Sequence, residues 1–120
     1  MLSPDVQLDL VRKAIGSGLS NCIEWVDEKV QSRVRSDPGL QGLTPRKIKE
    51  LLIAWVVQSG GHIQQKVEDR PNWKGARDYW YQALIPVDGL PRRLFVELAL
   101  TDEDEDCPVV AILNSHLELS

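Results

Sequence analysis

Cysteine, methionine and phenylalanine are scarce in this chain, and long hydrophobic runs are absent. Its 120 residues include two Cys, one Met and one Phe. The longest apolar run covers residues 51–57, whereas a helix that crosses a bilayer needs about 20 apolar residues. The sequence therefore predicts neither a disulfide-dense scaffold nor a membrane-spanning helix.

The first residues, MLSPDVQLDLVRK, lack the basic-then-apolar order of a secretory signal peptide. We therefore expect a cytoplasmic protein. Cys22 and Cys107 each have an apolar neighbour. Because thiols stay reduced in the cytoplasm, both are expected to be buried free thiols, with a disulfide between them as the alternative.

An excess of positive charge, which suits a polyanionic partner, is also absent, since the net charge is -4. Five acidic residues form a single run at positions 102–106, and the rest of the chain has 14 basic and 13 acidic side chains. Positions 61–95 hold six basic and four acidic residues. This distribution predicts a weakly basic surface on an acidic protein.

Helical patterns occupy the first half of the chain. Ser3 before Pro4 predicts the cap of a first helix that ends at Gly16, and Thr44 before Pro45 predicts the start of a third helix. Between them we expect a second helix, because apolar residues recur there at steps of three or four. Those residues are Ile23, Val26, Val30 and Val34.

Beyond Gly61 the apolar residues alternate, as they do in strands. An Asp88-Gly89 pair predicts a two-residue type I′ hairpin. The predicted fold class is α+β, with three N-terminal helices packed on a C-terminal four-stranded antiparallel meander sheet. The four strands are expected at about 62–68, 79–87, 93–101 and 109–117.

The length suits a single domain over residues 1–120, since domains usually contain roughly 100 to 200 residues. Within it, residues 1–43 form a helical N-terminal extension. Residues 44–120 form a helix plus antiparallel sheet.

The first expected strand bears polar residues at every second position, which places them on one face. Metal-independent RNA cleavage needs a base for the 2′-hydroxyl, an acid for the leaving oxygen and a cation for the phosphorane. His62 or Glu68 is the candidate base. Lys66 or Arg70 is the candidate cation. The alternative is that this polar row, which also includes Gln64, is the solvated face of an outer strand.

Aromatic and basic residues nearby are candidates for RNA binding, because rings stack on bases and cations bind phosphate. Tyr79 and Tyr81 face one side of the second strand and Trp80 the other, and packing is the alternative role for these rings. The remaining candidates lie in or beside two loops, and they are Trp73, Lys74, Arg77, Arg92 and Arg93.

His116, near the end of the fourth strand, forms an acid-base pair with His62 only if the ends of their strands meet. An exposed histidine without a role is the alternative. No motif indicates a metal or a cofactor. The run 102–106 lacks the ligand spacing and the glycine of a calcium loop, so a solvated turn is expected.

From Thr44 onward, the element order resembles that of the small toxin ribonucleases RelE, BrnT and MqsR. The resemblance covers about the last two-thirds of the chain, through TPRKIKELLIAWVVQSGG, HIQQKVEDRP, DYWYQALIPVDGLPRRLFVELAL and VVAILNSHLE. It implies an RNA-cleaving domain of a toxin-antitoxin system, with RNA and a cognate protein as partners. By residue type it points to Lys66, Arg70, Tyr81 and His62 as catalytic. The acidic charge and the first two helices depart from the family's layout.

A non-catalytic interaction module is the competing expectation. An antitoxin, immunity protein or adaptor of this kind uses an acidic surface to bind a basic partner, and the net charge favours it. A homodimer, paired through the first helix or a strand edge, is a third alternative.

Overall fold

A mixed β-sheet of five strands, with helices packed against one face, forms the framework of the protein. The computed structural model describes residues 2–119. Within that range the α-helices are α1 (Pro4–Gly16), α2 (Glu28–Arg35) and α3 (Pro45–Val57). The strands are β1 (Ile23–Trp25), β2 (Gln64–Val67), β3 (Tyr79–Ile85), β4 (Leu94–Asp102) and β5 (Val109–Leu117).

The strands are ordered β1-β5-β4-β3-β2, and the neighbours among β2 to β5 pair antiparallel. β1 runs parallel to β5, with Ile23 opposite Val110. The predicted four-stranded antiparallel meander is therefore wrong, because the sheet has a fifth strand and one parallel pair. The position of the helices, ahead of most of the sheet, agrees with the prediction.

The additional strand lies in the segment that the sequence assigned to the second helix. Asp27 is the N-cap of α2: its backbone is extended, and its side chain accepts the N–H of Val30 at 2.9 Å. Because a capping residue is itself not helical, α2 does not continue back through this position. Ile23 lies in β1, at the edge of the sheet, and is fully buried. It is apolar because it packs into the core from a strand, although its spacing from the next apolar residues also fits a helix.

The other two helix starts are confirmed. Ser3 Oγ accepts the N–H of Val6 at 3.2 Å, and Thr44 Oγ1 accepts the N–H of Lys47 at 3.1 Å. A proline follows each cap, at a helical position that needs no backbone donor. Each of the described helices is too short or too polar to cross a lipid bilayer.

One core lies between the helices and the inward face of the sheet. Each fully buried Leu or Ile side chain contributes about 2 kcal/mol to folding by leaving water. α1, from the expected N-terminal extension, packs into the same core as α3 and the sheet. The fully buried residues include Val11, Ile15, Ile48, Leu52, Tyr81, Val96, Leu98 and Ile112.

The connection between β3 and β4 differs from the predicted hairpin. Among residues 2–119 the only non-glycine residue with positive φ is Gln41, so Asp88 lacks the conformation that a type I′ turn requires. Within this turn, Gly89 has positive φ (+90°) and Asp88 does not, and the N–H of Leu90 donates to the carbonyl of Val87 at 3.2 Å. The strands stop at Ile85 and resume at Leu94, because the prolines that flank the turn donate no ladder bonds.

Candidate functional site

The sheet face opposite the helices, called the open face below, carries most of the polar strand residues. Along β3, Tyr81, Ala83 and Ile85 are buried against the helices, whereas the alternate residues are only half-buried. The strand register extends this alternation across the sheet. The open face comprises Gln64, Lys66, Trp80, Gln82, Leu84, Phe95, Glu97, Asn114 and His116.

Arg70 reaches over the centre of this face. Its Nη1 donates to Glu97 Oε2 at 2.8 Å, and its guanidinium lies 4.9 Å from the centre of the Trp80 ring. Two further bonds, at 2.8 and 2.9 Å, join Arg70 to Glu68. These carboxylates raise the pKa of Arg70 further, so its charge is permanent. The Arg70 side chain is 38% exposed, and an anion on the open face has access to it.

Glu68, a predicted base, occupies a structural ion-pair network. Its side chain is fully buried and also accepts a bond from Arg77 Nε at 2.8 Å. The hydrogen bonds from Arg70, chiefly, and from Arg77 lower the pKa of Glu68 to about 2. A carboxylate with this pKa takes a proton poorly at neutral pH. The role that the geometry supports for Glu68 is to hold the two arginines.

Tyr81 lies on the other side of the sheet from Lys66 and Arg70. It is fully buried in the core, and its hydroxyl accepts a hydrogen bond from Gln65 Nε2 at 3.1 Å. Burial raises the pKa of the Tyr81 hydroxyl. The structure therefore does not bring Tyr81 together with the other predicted catalytic residues.

His62 and Lys66 remain on the open side of β2. His62 is exposed, and it lines a small hollow of about 250 Å³ with Gln64, Gln82 and Arg93. β3 and β4 separate His62 from His116 on β5. With about 4.8 Å per strand, the two histidines are about 14 Å apart, which is too far for both to act on one phosphate.

His116 and Glu97 lie near each other on neighbouring strands. Phe95 pairs with His116, and Glu97 pairs with Asn114. Glu97 and His116 are therefore diagonal neighbours on adjacent strands, with Cα atoms roughly 7 Å apart. The His116 ring stacks on Phe95 with centroids 4.8 Å apart, and its Nδ1 lies 2.6 Å from the carbonyl of Leu117. A proton on Nδ1 makes that bond and leaves Nε2 available for proton exchange.

The remaining RNA-binding candidates are distributed around the ends of the sheet. Arg77 stacks on Trp73 at 4.6 Å beside Glu68, and Arg93 pairs with Glu118 at 2.7 Å. Lys74 and Arg92 are exposed in the two loops. Tyr79 is half-buried on the helix side of β3, away from the open face. The structure thus groups Trp73, Lys74 and Arg77 in one loop, but it does not place them with the Arg92 and Arg93 pair.

Sequence reasoning missed the residues in the middle of the open face. Gln82, Glu97 and Asn114 belong to three strands, and the pairing register brings them into one row, with Phe95 in the next row. Alternation within a strand predicts the side that a residue faces, but it does not predict its neighbours on other strands. Within residues 2–119, no group of three or more His, Cys, Asp or Glu is arranged to hold a metal ion.

Comparison with known proteins adds no family. No protein-family model, no curated protein and no solved structure matches the chain.

Proposed function

We propose that the chain binds single-stranded RNA on the open face and cleaves it there without a metal, as a toxin-type endoribonuclease. One observation carries the proposal: Arg70 is bonded to Glu97, and His116 is the diagonal neighbour of Glu97, on a sheet face that also presents the rings of Trp80 and Phe95. A base, an acid and a fixed cation are the groups that this reaction requires.

Each of the three groups has a role that its geometry supports. Glu97, which a single hydrogen bond joins to Arg70 whereas Glu68 is held by Arg70 and Arg77, accepts the proton of the 2′-hydroxyl. The 2′ oxygen then attacks phosphorus. Arg70 stabilises the charged phosphorane, and His116 Nε2 donates a proton to the departing 5′ oxygen as the phosphorus–oxygen bond breaks. The products are a 2′,3′-cyclic phosphate and a 5′-hydroxyl. Lys66, at the rim of the same face, provides a phosphate contact.

The surroundings of the three groups suit unpaired bases. Aromatic rings stack on bases of any sequence, and side-chain amides bond to base edges. Gln82 Nε2 donates to Gln64 Oε1 at 2.7 Å, so these two amides on the open face are aligned with each other.

The run 102–106 lies at the end of β4 and in the turn to β5, so five acidic charges lie at one end of the sheet.

The test compares cleavage of single-stranded RNA by purified variants. We expect Glu97→Gln and His116→Gln to lower the cleavage rate at least about 100-fold and to change RNA affinity by less than about threefold. Glu28→Gln, at an exposed position on α2, is the matched control and should cleave normally. Circular dichroism verifies that each variant is folded, and end-group analysis should find cyclic phosphate.

Expression in cells provides the second readout. The unmodified chain should arrest growth and degrade RNA, and Glu97→Gln should relieve both effects. Intact RNA in cells and with the purified chain would refute cleavage.

The competing function is a non-catalytic module that binds a basic partner through its acidic surface. The acidic run 102–106 is exposed. Among residues 2–119, none of its carboxylates takes part in an ion pair. Intact RNA, together with tight and salt-sensitive binding to a basic protein that is lost when this run is neutralised, would favour the module.

A further inference from the structure

A groove of about 770 Å³ lies where β1, α2 and α3 meet, on the helix side of the sheet. We call it the α2–α3 groove. Ligand pockets for small molecules usually have volumes of roughly 300 to 1,000 Å³, so the groove has a suitable size. It lies away from the open face, and the proposed ribonuclease makes no use of it. The residues that characterise it are Trp25, Arg35, Arg46, Lys49, Glu50 and Ile53.

The lining of this groove is positively charged on a chain that is acidic overall. The lining itself has three cations and one carboxylate, that of Glu50, and the carboxylates of Glu28 and Glu24 lie beside Arg35 and Lys49. Arg35 pairs with Glu28 at 2.8 Å, but both side chains are more than half exposed. The Arg46 bridge to Glu50 is long, at 3.8 Å, and the Arg46 side chain is 90% exposed. Exposed bridges of this kind contribute little stability, so the guanidinium groups can exchange to another anion.

The N-terminus of α3 opens into the same groove, which Thr44 and Pro45 also line. The Thr44 hydroxyl caps the N–H of Lys47, and the backbone N–H of Arg46 has no acceptor within the helix. The positive end of the 13-residue helix dipole adds to the charge of the side chains.

Apolar surface accompanies these cations. Trp25 and Ile53 line the groove, and the Trp25 ring is half-buried. The indole Nε1 is buried and has no hydrogen-bond partner among residues 2–119. An indole that lines a groove is a surface on which a planar ring can stack, because aromatic groups prefer offset stacking.

We propose that the α2–α3 groove binds a phosphorylated small molecule that carries a planar ring, which is the chemical class of the nucleotides. Two arginines and a helix N-terminus match a phosphate group, because guanidinium groups bind it in a bidentate manner. Lys49 adds a third positive charge beside them. Trp25 holds the planar ring. This proposal does not depend on RNA cleavage at the open face.

Titration calorimetry of the full chain is the test, with adenosine triphosphate, adenosine monophosphate, inorganic phosphate and a glutamate-rich peptide as separate probes. We expect the nucleotides to bind in the micromolar to millimolar range and inorganic phosphate to bind at least about tenfold more weakly. An Arg35→Ala, Arg46→Ala variant should lose at least about tenfold in nucleotide affinity.

Arg33→Ala is the matched control, because Arg33 is exposed on α2, next to the groove, but does not line it. Its nucleotide affinity should equal that of the unmodified chain. RNA cleavage by the double arginine variant should also be unchanged, so a failure of one proposal is distinguishable from a failure of the other. Three results would overturn the groove proposal: no nucleotide binding, equal binding of phosphate and nucleotide, or binding of the peptide alone.

Discussion

The Sγ atoms of Cys22 and Cys107 lie 3.9 Å apart, although 85 positions separate the two residues in the chain. The parallel pairing of β1 with β5 explains this proximity. Cys22 directly precedes β1, and a single residue, Pro108, separates Cys107 from β5. Both are free thiols in the structure. Cys22 is buried, as expected from the sequence, whereas Cys107 is exposed and the expectation that it is buried is wrong.

Mild oxidation should join these two thiols. With hydrogen peroxide, the Cys107 thiolate displaces hydroxide to form a sulfenic acid, and the Cys22 thiolate then attacks that sulfur and releases a second hydroxide. The neighbouring Cys22 thiol, chiefly, and nearby carboxylates raise the pKa of Cys107, so the reaction should accelerate as the pH rises above neutrality. Mass spectrometry of the non-reduced chain should show the loss of two hydrogens.

Cys107→Ser is the control for this oxidation. Serine retains the size of the side chain and removes the exposed nucleophile. Cys22 is then the one remaining thiol of the chain, and peroxide should leave the mass of the monomeric variant unchanged. An intermolecular dimer of the unmodified chain, without the intramolecular product, would contradict the prediction.

Glu68 should make the stability of the fold depend on pH in the acid range. Its pKa in the folded chain, about 2, is lower than its ordinary value of 4.5. A lowered carboxyl pKa stabilises the folded state fully above the ordinary pKa, and this stabilisation disappears as the pH falls from about 4.5 toward 2. The shift corresponds to on the order of 3 kcal/mol. Urea denaturation between pH 7 and pH 2 should follow this course.

Glu68→Gln identifies the group that is responsible for the dependence. At pH 7 the variant should unfold at a lower urea concentration, because it leaves the buried side of Arg77 without a carboxylate. Near pH 2 most of this difference should be lost, since Glu68 is then about half protonated in the folded unmodified chain. A constant difference at every pH would show that Glu68 acts through its shape rather than its charge.

Gly61→Ala should destabilise the fold strongly. A Cβ atom at this position would lie 2.0 Å from Trp55 Cε2, and the Trp55 ring is also fixed by its bond to the carbonyl of His62 at 3.0 Å. We expect a loss of about 3 kcal/mol in the free energy of unfolding. Gly16→Ala, where no atom lies within 4 Å, should change stability by less than about 1 kcal/mol and serves as the comparison in the same thermal melts.

Tyr81→Phe should leave RNA cleavage unchanged and lower stability by about 1 kcal/mol, through the lost hydrogen bond from Gln65. Tyr81 faces the core, where RNA bound on the open face does not reach it. Kinetics and denaturation of the same preparation test both parts. A large loss of cleavage with a full-length folded chain would return Tyr81 to the site.

Local signals in the sequence predicted the local parts of the fold. Ser3 and Thr44 mark helix starts because a side-chain oxygen next to a proline satisfies backbone donors within three residues. β1 was missed because its three residues pair with a strand far along the chain, and its apolar spacing also fits a helix.

The candidate site shows the same division between local and distant information. Alternation predicted that Trp80 faces the opposite side of its strand from Tyr79 and Tyr81, and this holds in the structure. That Trp80, rather than the tyrosines, shares the face of Lys66 follows only from the strand register. The ion pairs of Glu68 with Arg70 and Arg77, and of Arg70 with Glu97, depend on the path of the loop and on register. The ion pairs do not follow from periodicity, so the sequence did not indicate that Glu68, a candidate base, is bonded to two arginines.

The parallel pair at the edge of the sheet also constrains how the chain is made. Ile23 is paired with Val110, so β1 has no strand to pair with until the ribosome has synthesised β5. Until β5 is made, the nascent helices expose apolar surface. During that interval a chaperone can bind the chain or a protease can cleave it. A stop codon before residue 109 would therefore be expected to leave an unfolded chain rather than a smaller folded one.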